Sequence, residues 1–183
     1  MSEARPEGSP EQVWEGKYIK VLKHGTWEYV SRTRGVGAAV MLAADNGHVI
    51  LVEQYRVPLG RMSLELPAGL VGDEQEGEAI EAAAIRELEE ETGYRAEHMV
   101  DLGRFHASPG MSSEGFTLFL AEGLTKIGQG GGVEGEEILV HRVAFAELPA
   151  FIEAKRREGA AMDVKLLLLL GCGFLQPLGL GGH

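Results

Sequence analysis

Positive charge is scarce in this sequence: 17 lysines and arginines stand against 28 aspartates and glutamates, a net charge of −11 at pH 7. That deficit argues against duplex nucleic acid as a partner, because neutralising its phosphates takes a basic surface. Cysteine is scarcer still. The one thiol, Cys172, excludes an internal disulfide, and its apolar neighbourhood predicts a buried structural role rather than a nucleophile. Long hydrophobic runs are missing too. The longest, around Leu166 to Leu170, falls far short of the roughly 20 residues that cross a bilayer. The N-terminal MSEARPEGSPEQ is polar and lacks the apolar segment of a signal peptide. These absences predict a cytoplasmic protein with neither a membrane nor a nucleic acid as partner.

What is present suffices for one folded unit. Hydrophobic residues make up 44% of 183 and charged residues 25%, the balance of a soluble domain with a sizeable core. There is no internal repeat and no linker that marks a second domain. Met1 to about Pro10 is expected to be a tail. Alternation and turn chemistry then predict strands over Lys17–Lys23 and Thr26–Arg32, joined at His24-Gly25. Further strands are expected over Gly35–Ala43 and His48–Tyr55, with Asn46-Gly47 between them, over Ser63–Gly69, and over Met99–Ala107, Phe116–Ala121 and Ile138–Phe145. Lys126–Glu137 is rich enough in glycine to predict a mobile loop. Ala146–Glu158 and Met162–Leu175 are expected to be helices covering the sheet.

The informative stretch is Gly72 to Tyr94, GDEQEGEAIEAAAIRELEEETGY, with a helix expected from about Glu76 to Thr92 and Gly93 as its stop. At 3.6 residues per turn, Ile80, Ala83 and Ala84 form an apolar stripe, and Glu87, Glu90 and Glu91 continue it one or two turns later. A solvated acidic surface is the ordinary reading of a glutamate run, and Glu89 fits it. A core-facing stripe that ends in three carboxylates does not. Like charges at that spacing repel unless a cation lies among them, and Mg²⁺, or Mn²⁺ in its place, suits oxygen ligands that also receive a phosphate. Arg86 is placed to orient these carboxylates. On position alone, Trp14 and Trp27 are core packing or stacking platforms for a base, and Arg56 is a surface charge or a phosphate ligand.

Gly72, Glu78 and Arg86-Glu87-Leu88-Glu89-Glu90-Glu91-Thr92-Gly93-Tyr94, at their gaps, resemble the Nudix box with every defining position filled. The resemblance implies an α+β fold: an α/β/α sandwich with a mixed sheet in 35–183, preceded by an antiparallel β arm in 1–34. Flanking segments extend it. WEYVSRT resembles the arm of ADP-ribose pyrophosphatases, which exchanges between subunits and holds the adenine, implying a homodimer with Trp27, Arg32 and less closely Trp14 at the substrate. QYR-x-P resembles the segment in which Arg56 would contact phosphate. SLELPAG implies a metal-ligating carbonyl at Ala68 beside Glu87, Glu90 and Glu91; Glu65 there either assists or pairs with an arginine. The Ser108-Pro109-Gly110 loop resembles that of the ADP-ribose branch and implies Glu114 near substrate.

The implied activity is metal-dependent hydrolysis of a nucleoside diphosphate sugar, with ADP-ribose favoured and AMP and ribose 5-phosphate as products. Catalytic candidates are Glu87 and Glu91 on the helix and Glu134 and Glu136 in the loop, where an alignment shift of two residues exchanges the last two. The same chemistry on GDP-mannose is the neighbouring alternative. A nucleotide-binding module without turnover is the rival from another class, and intact box glutamates count against it.

Overall fold

The structure is a computed structural model that describes residues 6–34, 37–71, 79–133 and 135–169. Its framework is a hairpin of two strands, β4 (Gly37–Asp45) and β5 (His48–Arg56). Asn46 and Gly47 turn it with φ of 47° and 73°, the left-handed pair that suits the twist of a two-residue hairpin. The two strands pair only beside that turn, at Ala44–Val49 and Asp45–His48. Beyond it they part and recruit different neighbours.

β4 continues between β7 (Ala68–Val71), antiparallel, and β10 (Phe116–Glu122), parallel, with β9 (His98–Phe105) outside β10. β5 runs between β6 (Arg61–Glu65) and β12 (Ile138–Ala144), both antiparallel, and β13 (Ala161–Met162) adds in parallel to β6. The result is a mixed sheet, and β8 (Tyr94–Arg95) pairs apart from it with β11 (Thr125–Lys126), antiparallel. The chain crosses from one branch to the other at Leu66-Pro67, so the single strand expected over Ser63–Gly69 is two. Proline is the reason: it has no N–H for a ladder, while its carbonyl accepts a bond from the Met41 N–H at 2.8 Å.

Both faces of the sheet are covered, which is why the central strands are apolar at every position rather than at alternate ones. On one face Ala39, Met41 and Ala43 pack against Ala83, Ala84 and Leu88 of α1 (Ile80–Thr92). On the other, Val40 and Leu42 pack with Leu148, which opens α2 (Leu148–Arg157), and with Leu166 and Leu169. Each fully buried leucine contributes about 1.5–3 kcal/mol of transfer free energy. This is the expected α/β/α layering.

Three boundaries differ from expectation. Ala79 is extended, at φ −64° and ψ 137°, so α1 starts at Ile80; residues 76–78 lie outside the described residues. Met162 is held in β13, and Val164–Leu169 is a 3₁₀ turn rather than an α-helix. Pairing with β6 takes the chain out of helical conformation there, and Asp163 then caps the turn by accepting from the Lys165 N–H at 2.7 Å. Cys172 and the rest of that expected helix lie outside the described residues. Among the described residues, no helix is long and apolar enough to cross a membrane.

The N-terminal arm has three antiparallel strands rather than two: β1 (Glu11–Glu15), β2 (Ile19–His24) and β3 (Trp27–Arg32). EQVWE is exposed throughout, so no alternation betrays it. The arm meets the body through β3. The Val30 N–H donates to Met111 O at 2.9 Å, the Ser113 N–H donates to Val30 O at 3.0 Å, and the Ser113 hydroxyl bonds that of Ser31. The Ser-Pro-Gly loop is thus a fourth, short neighbour of the arm.

Candidate active site

One face of α1 delivers carboxylates to a cavity of about 460 Å³. Glu87, Glu90 and Glu91 line it together, as the helical spacing predicts. Glu91 is the most buried at 6% exposure, and its Oε2 accepts the Ala68 N–H at 3.0 Å. Burial pushes its carboxyl up to about 8; the bond from Ala68 opposes that, and the charges of Glu87 and Glu136 add to it. Glu87 lies against Gly69 so closely that a Cβ there would stand 2.1 Å from its Cδ. A side chain at position 69 would therefore displace the Glu87 carboxylate from its place in the cavity. Arg86 Nη1 is 3.1 Å from both Glu87 Oε1 and Glu90 Oε2, and orients the two. Glu89 points outward and pairs with Arg95 at 2.9 Å. Ala83 and Ala84 are buried as expected, whereas Ile80 is half-exposed.

The opposite wall carries cations. Arg56 grips Glu65 with Nε and Nη2, at 2.8 and 2.7 Å, which decides between the two readings of Glu65: it pairs with the arginine. The pair holds the guanidinium still and leaves its remaining N–H donors for an anion. Arg32 reaches the cavity from β3 and bonds Glu114 of the Ser-Pro-Gly loop. Two further polar groups line it, Gln54 and Lys165. Gln54 is not among the residues singled out from sequence, though the period of a strand could have found it two residues from Arg56 on the same face. Lys165 gave no signal inside a leucine-rich run; its ammonium is fixed by Asp163 at 2.5 Å.

The glycine-rich segment expected to be a mobile loop is bonded in this structure to the end of α1. Gly131 and Gly132 donate their N–H groups to the carbonyls of Glu91 and Glu90, at 2.9 and 3.0 Å. Lys126 Nζ reaches Thr92 O at 2.8 Å, and Ile127 and Gly128 donate to Gly93 O. The last turn of a helix leaves four carbonyls without intrahelical partners, and this segment supplies them. It carries Glu136 to the cavity wall, its carboxylate accepting the Val133 N–H at 3.2 Å. Glu134 lies outside the described residues.

Trp14 and Trp27 are not brought to this cavity. Trp27 lines a separate, more apolar pocket of about 350 Å³ with Tyr29 and Pro109, and the Trp14 ring lies over Gly16. Each is about half exposed, at 47% and 52%.

The donor set fits a hard divalent cation. Three carboxylates share one cavity with the Ala68 backbone, and the innermost resists ionisation in the absence of added positive charge. Among the described residues, no three of them are drawn into a ready coordination shell; Arg86 bridges two instead. A pH dependence follows for the metal-free protein. The Glu91 carboxyl titrates near 4.5 when unfolded and near 8 when folded, so between those values the native state holds a proton that the unfolded state has lost. Stability is expected to fall as pH rises through that window, by about 1.4 kcal/mol per unit at most, and to level off above 8. Thermal melts in chelator across pH 5 to 9 check this, and Glu91→Gln should flatten the slope.

Comparison with known proteins bears out the family. The NUDIX domain profile matches residues 33–162. An ADP-ribose pyrophosphatase of Bacillus subtilis is 34% identical over 79% of this chain and 81% of its own. A GDP-mannose pyrophosphatase of Cronobacter sakazakii is 39% identical over 82% and 78%, and a methanol dehydrogenase activator of Bacillus methanolicus is 34% identical over 80% and 82%. The fold matches a crystal structure of an ADP compounds hydrolase with a TM-score of 0.71, covering 98% of both chains at 23% identity. Divalent metal ions are the general cofactors of such hydrolases. With the box helix, the mixed sheet and the profile in agreement, the chain belongs to the Nudix hydrolase family.

Proposed function

We propose that the protein hydrolyses the diphosphate bond of ADP-ribose to AMP and ribose 5-phosphate, with Mg²⁺ as cofactor and Mn²⁺ as a substitute. The observation that carries this is the division of one cavity into a carboxylate wall on α1 and a cationic wall of Arg32 and Arg56. Its volume of about 460 Å³ lies within the range of small-molecule sites. A diphosphate fits between the walls. Arg56, held by Glu65, and Arg32, released from Glu114, bind its oxygens through charge-assisted hydrogen bonds. Glu87, Glu90, Glu91 and the Ala68 carbonyl would hold the metal, which when bound screens phosphate charge and makes water a stronger nucleophile. Glu136 stands at the cavity wall, able to take the proton of the water whose oxygen attacks phosphorus as the bridging P–O bond breaks. The exposed Trp14 and Trp27 support a homodimer in which each arm offers its aromatics to the partner. A cytoplasmic location is proposed with it.

The test is product release with millimolar Mg²⁺ from ADP-ribose, GDP-mannose, UDP-glucose, a nicotinamide dinucleotide and a nucleoside triphosphate. Preference for ADP-ribose is the expected result. Preference for GDP-mannose, in line with the Cronobacter relative, would keep the metal site and overturn the assignment of the base. Metal binding with no turnover of any compound would overturn catalysis and favour a regulatory role, as the name of the Bacillus methanolicus relative suggests for that protein.

A further inference from the structure

We infer that a second cavity, set between the arm and the body, is an anion subsite for a phosphomonoester, and that the substrates best bound include nucleoside diphosphate sugars carrying one additional phosphate. The inference rests on the reaction proposed above for the diphosphate, though not for the anion site itself.

The cavity measures about 630 Å³. Lys20 of β2, Arg32 of β3, Arg34 just beyond it and Arg104 of β9 all line it, against one carboxylate among the described residues, Glu114. Arg32 already engages that carboxylate. Among the described residues, Lys20, Arg34 and Arg104 are held in no ion pair. Three cations that, among the described residues, have no ion-pair partner surround one concavity, against the trend of a chain whose net charge is −11. Like charges brought together repel, and neighbouring cations are relieved by an anion lodged among them. Guanidinium forks make a phosphate the best match, since they meet its oxygens in pairs. A neutral base would leave the charges unanswered, and a metal ion would be repelled.

The two cavities adjoin. Both are lined by Arg32, Ala38, Glu114 and Phe116, so the Arg32–Glu114 pair is the partition between them. An anion entering the second cavity offers Arg32 a rival to Glu114. A substrate with its diphosphate in the first cavity thus has a cationic pocket within reach of its own length.

Binding, read without turnover, tests this. In chelator, calorimetry would compare ADP-ribose with its phosphomonoesters on either ribose and with inorganic phosphate. One ester is expected to bind roughly tenfold or more tightly than ADP-ribose, the gain from one or two charge-assisted contacts. The double variant Arg34→Gln, Arg104→Gln should erase that gain and leave both the affinity for ADP-ribose and its hydrolysis unchanged. Both side chains are exposed, so the variant is expected to fold, and its melting temperature would verify it. Equal affinity for every ester would overturn the inference, meaning that the chain's own carboxylates already satisfy these cations. A gain that survives in the variant would overturn it as well, as would inorganic phosphate binding without any gain for an ester. Absence of hydrolysis with the binding gain intact would sink the catalytic reading and keep the subsite.

Discussion

Glu91→Gln is expected to slow turnover by about 10²–10⁴-fold at saturating Mg²⁺ while making the metal-free protein more stable at pH 8. The two effects have one cause. The amide is the same size as the carboxylate, and its oxygen can still accept the Ala68 N–H now bonded at 3.0 Å, so packing and that bond survive. What is lost is a charge in a site 6% exposed, flanked by Glu87 and Glu136. Without metal that charge is a liability, because burial and its neighbours raise the carboxyl to about 8. On the function proposed above, that charge would serve as the innermost anionic ligand once metal is bound. A merely structural carboxylate would give losses of the same sign in both assays. Glu136→Gln is expected to cost less, since a base can be partly replaced by solvent or a neighbouring carboxylate, whereas a ligand at the cavity floor has no substitute. Steady-state rates and chelator melts of both variants check this. Near-normal turnover in Glu91→Gln would remove α1 from the chemistry.

The carboxylate face was legible because a helix converts spacing into direction: Glu87, Glu90 and Glu91 needed only the 3.6 period to be seen as one cluster. Asn46-Gly47 was legible for a comparable reason, since few residues adopt left-handed φ. What the sequence hid were contacts between segments far apart in it. Glu65 is nine residues from Arg56, and pattern alone left open whether they meet; the strand pairing of Arg56 with Arg61 brings them to one side. The tie between β3 and the Ser-Pro-Gly loop joins the Ser31 and Ser113 hydroxyls across 82 residues, and its other bonds at Val30 are made by backbone groups, which carry no signature of residue type. β1 escaped because strand patterning reports a buried face, and this strand has none. Met162 lay in an apolar run that suits helix and strand alike, and only pairing with β6 decided between them.

Glycine shows the same limit, and its resolution makes the second large prediction. A stretch such as KIGQGGGVEGEE is permissive, and permissiveness is compatible both with motion and with close docking. In the structure the segment is docked. Gly130 has φ of +71°, and a Cβ there would stand 2.4 Å from the Thr92 carbonyl carbon and 2.6 Å from Glu91 O. Those neighbours are backbone at the end of a packed helix and have nowhere to move. Gly130→Ala should therefore expel the segment, break the Gly131–Glu91 and Gly132–Glu90 bonds, and shift both Glu136 and the last turn of α1. A displacement of about 1 Å in such groups costs on the order of 10²-fold in rate, and the left-handed backbone adds about 1–2 kcal/mol of destabilisation. Gly128→Ala is the control. Its φ is not left-handed, and an added Cβ would meet only the Gly93 Cα, at an ordinary 3.9 Å, so activity close to the parent is expected. If the loop is a lid that works by moving freely, the two substitutions would have similar, small effects. If it works as a splint on the helix that carries the carboxylates, Gly130→Ala alone would lower kcat, with the melting temperature falling by only a few degrees and the Mg²⁺ needed for half-maximal rate rising.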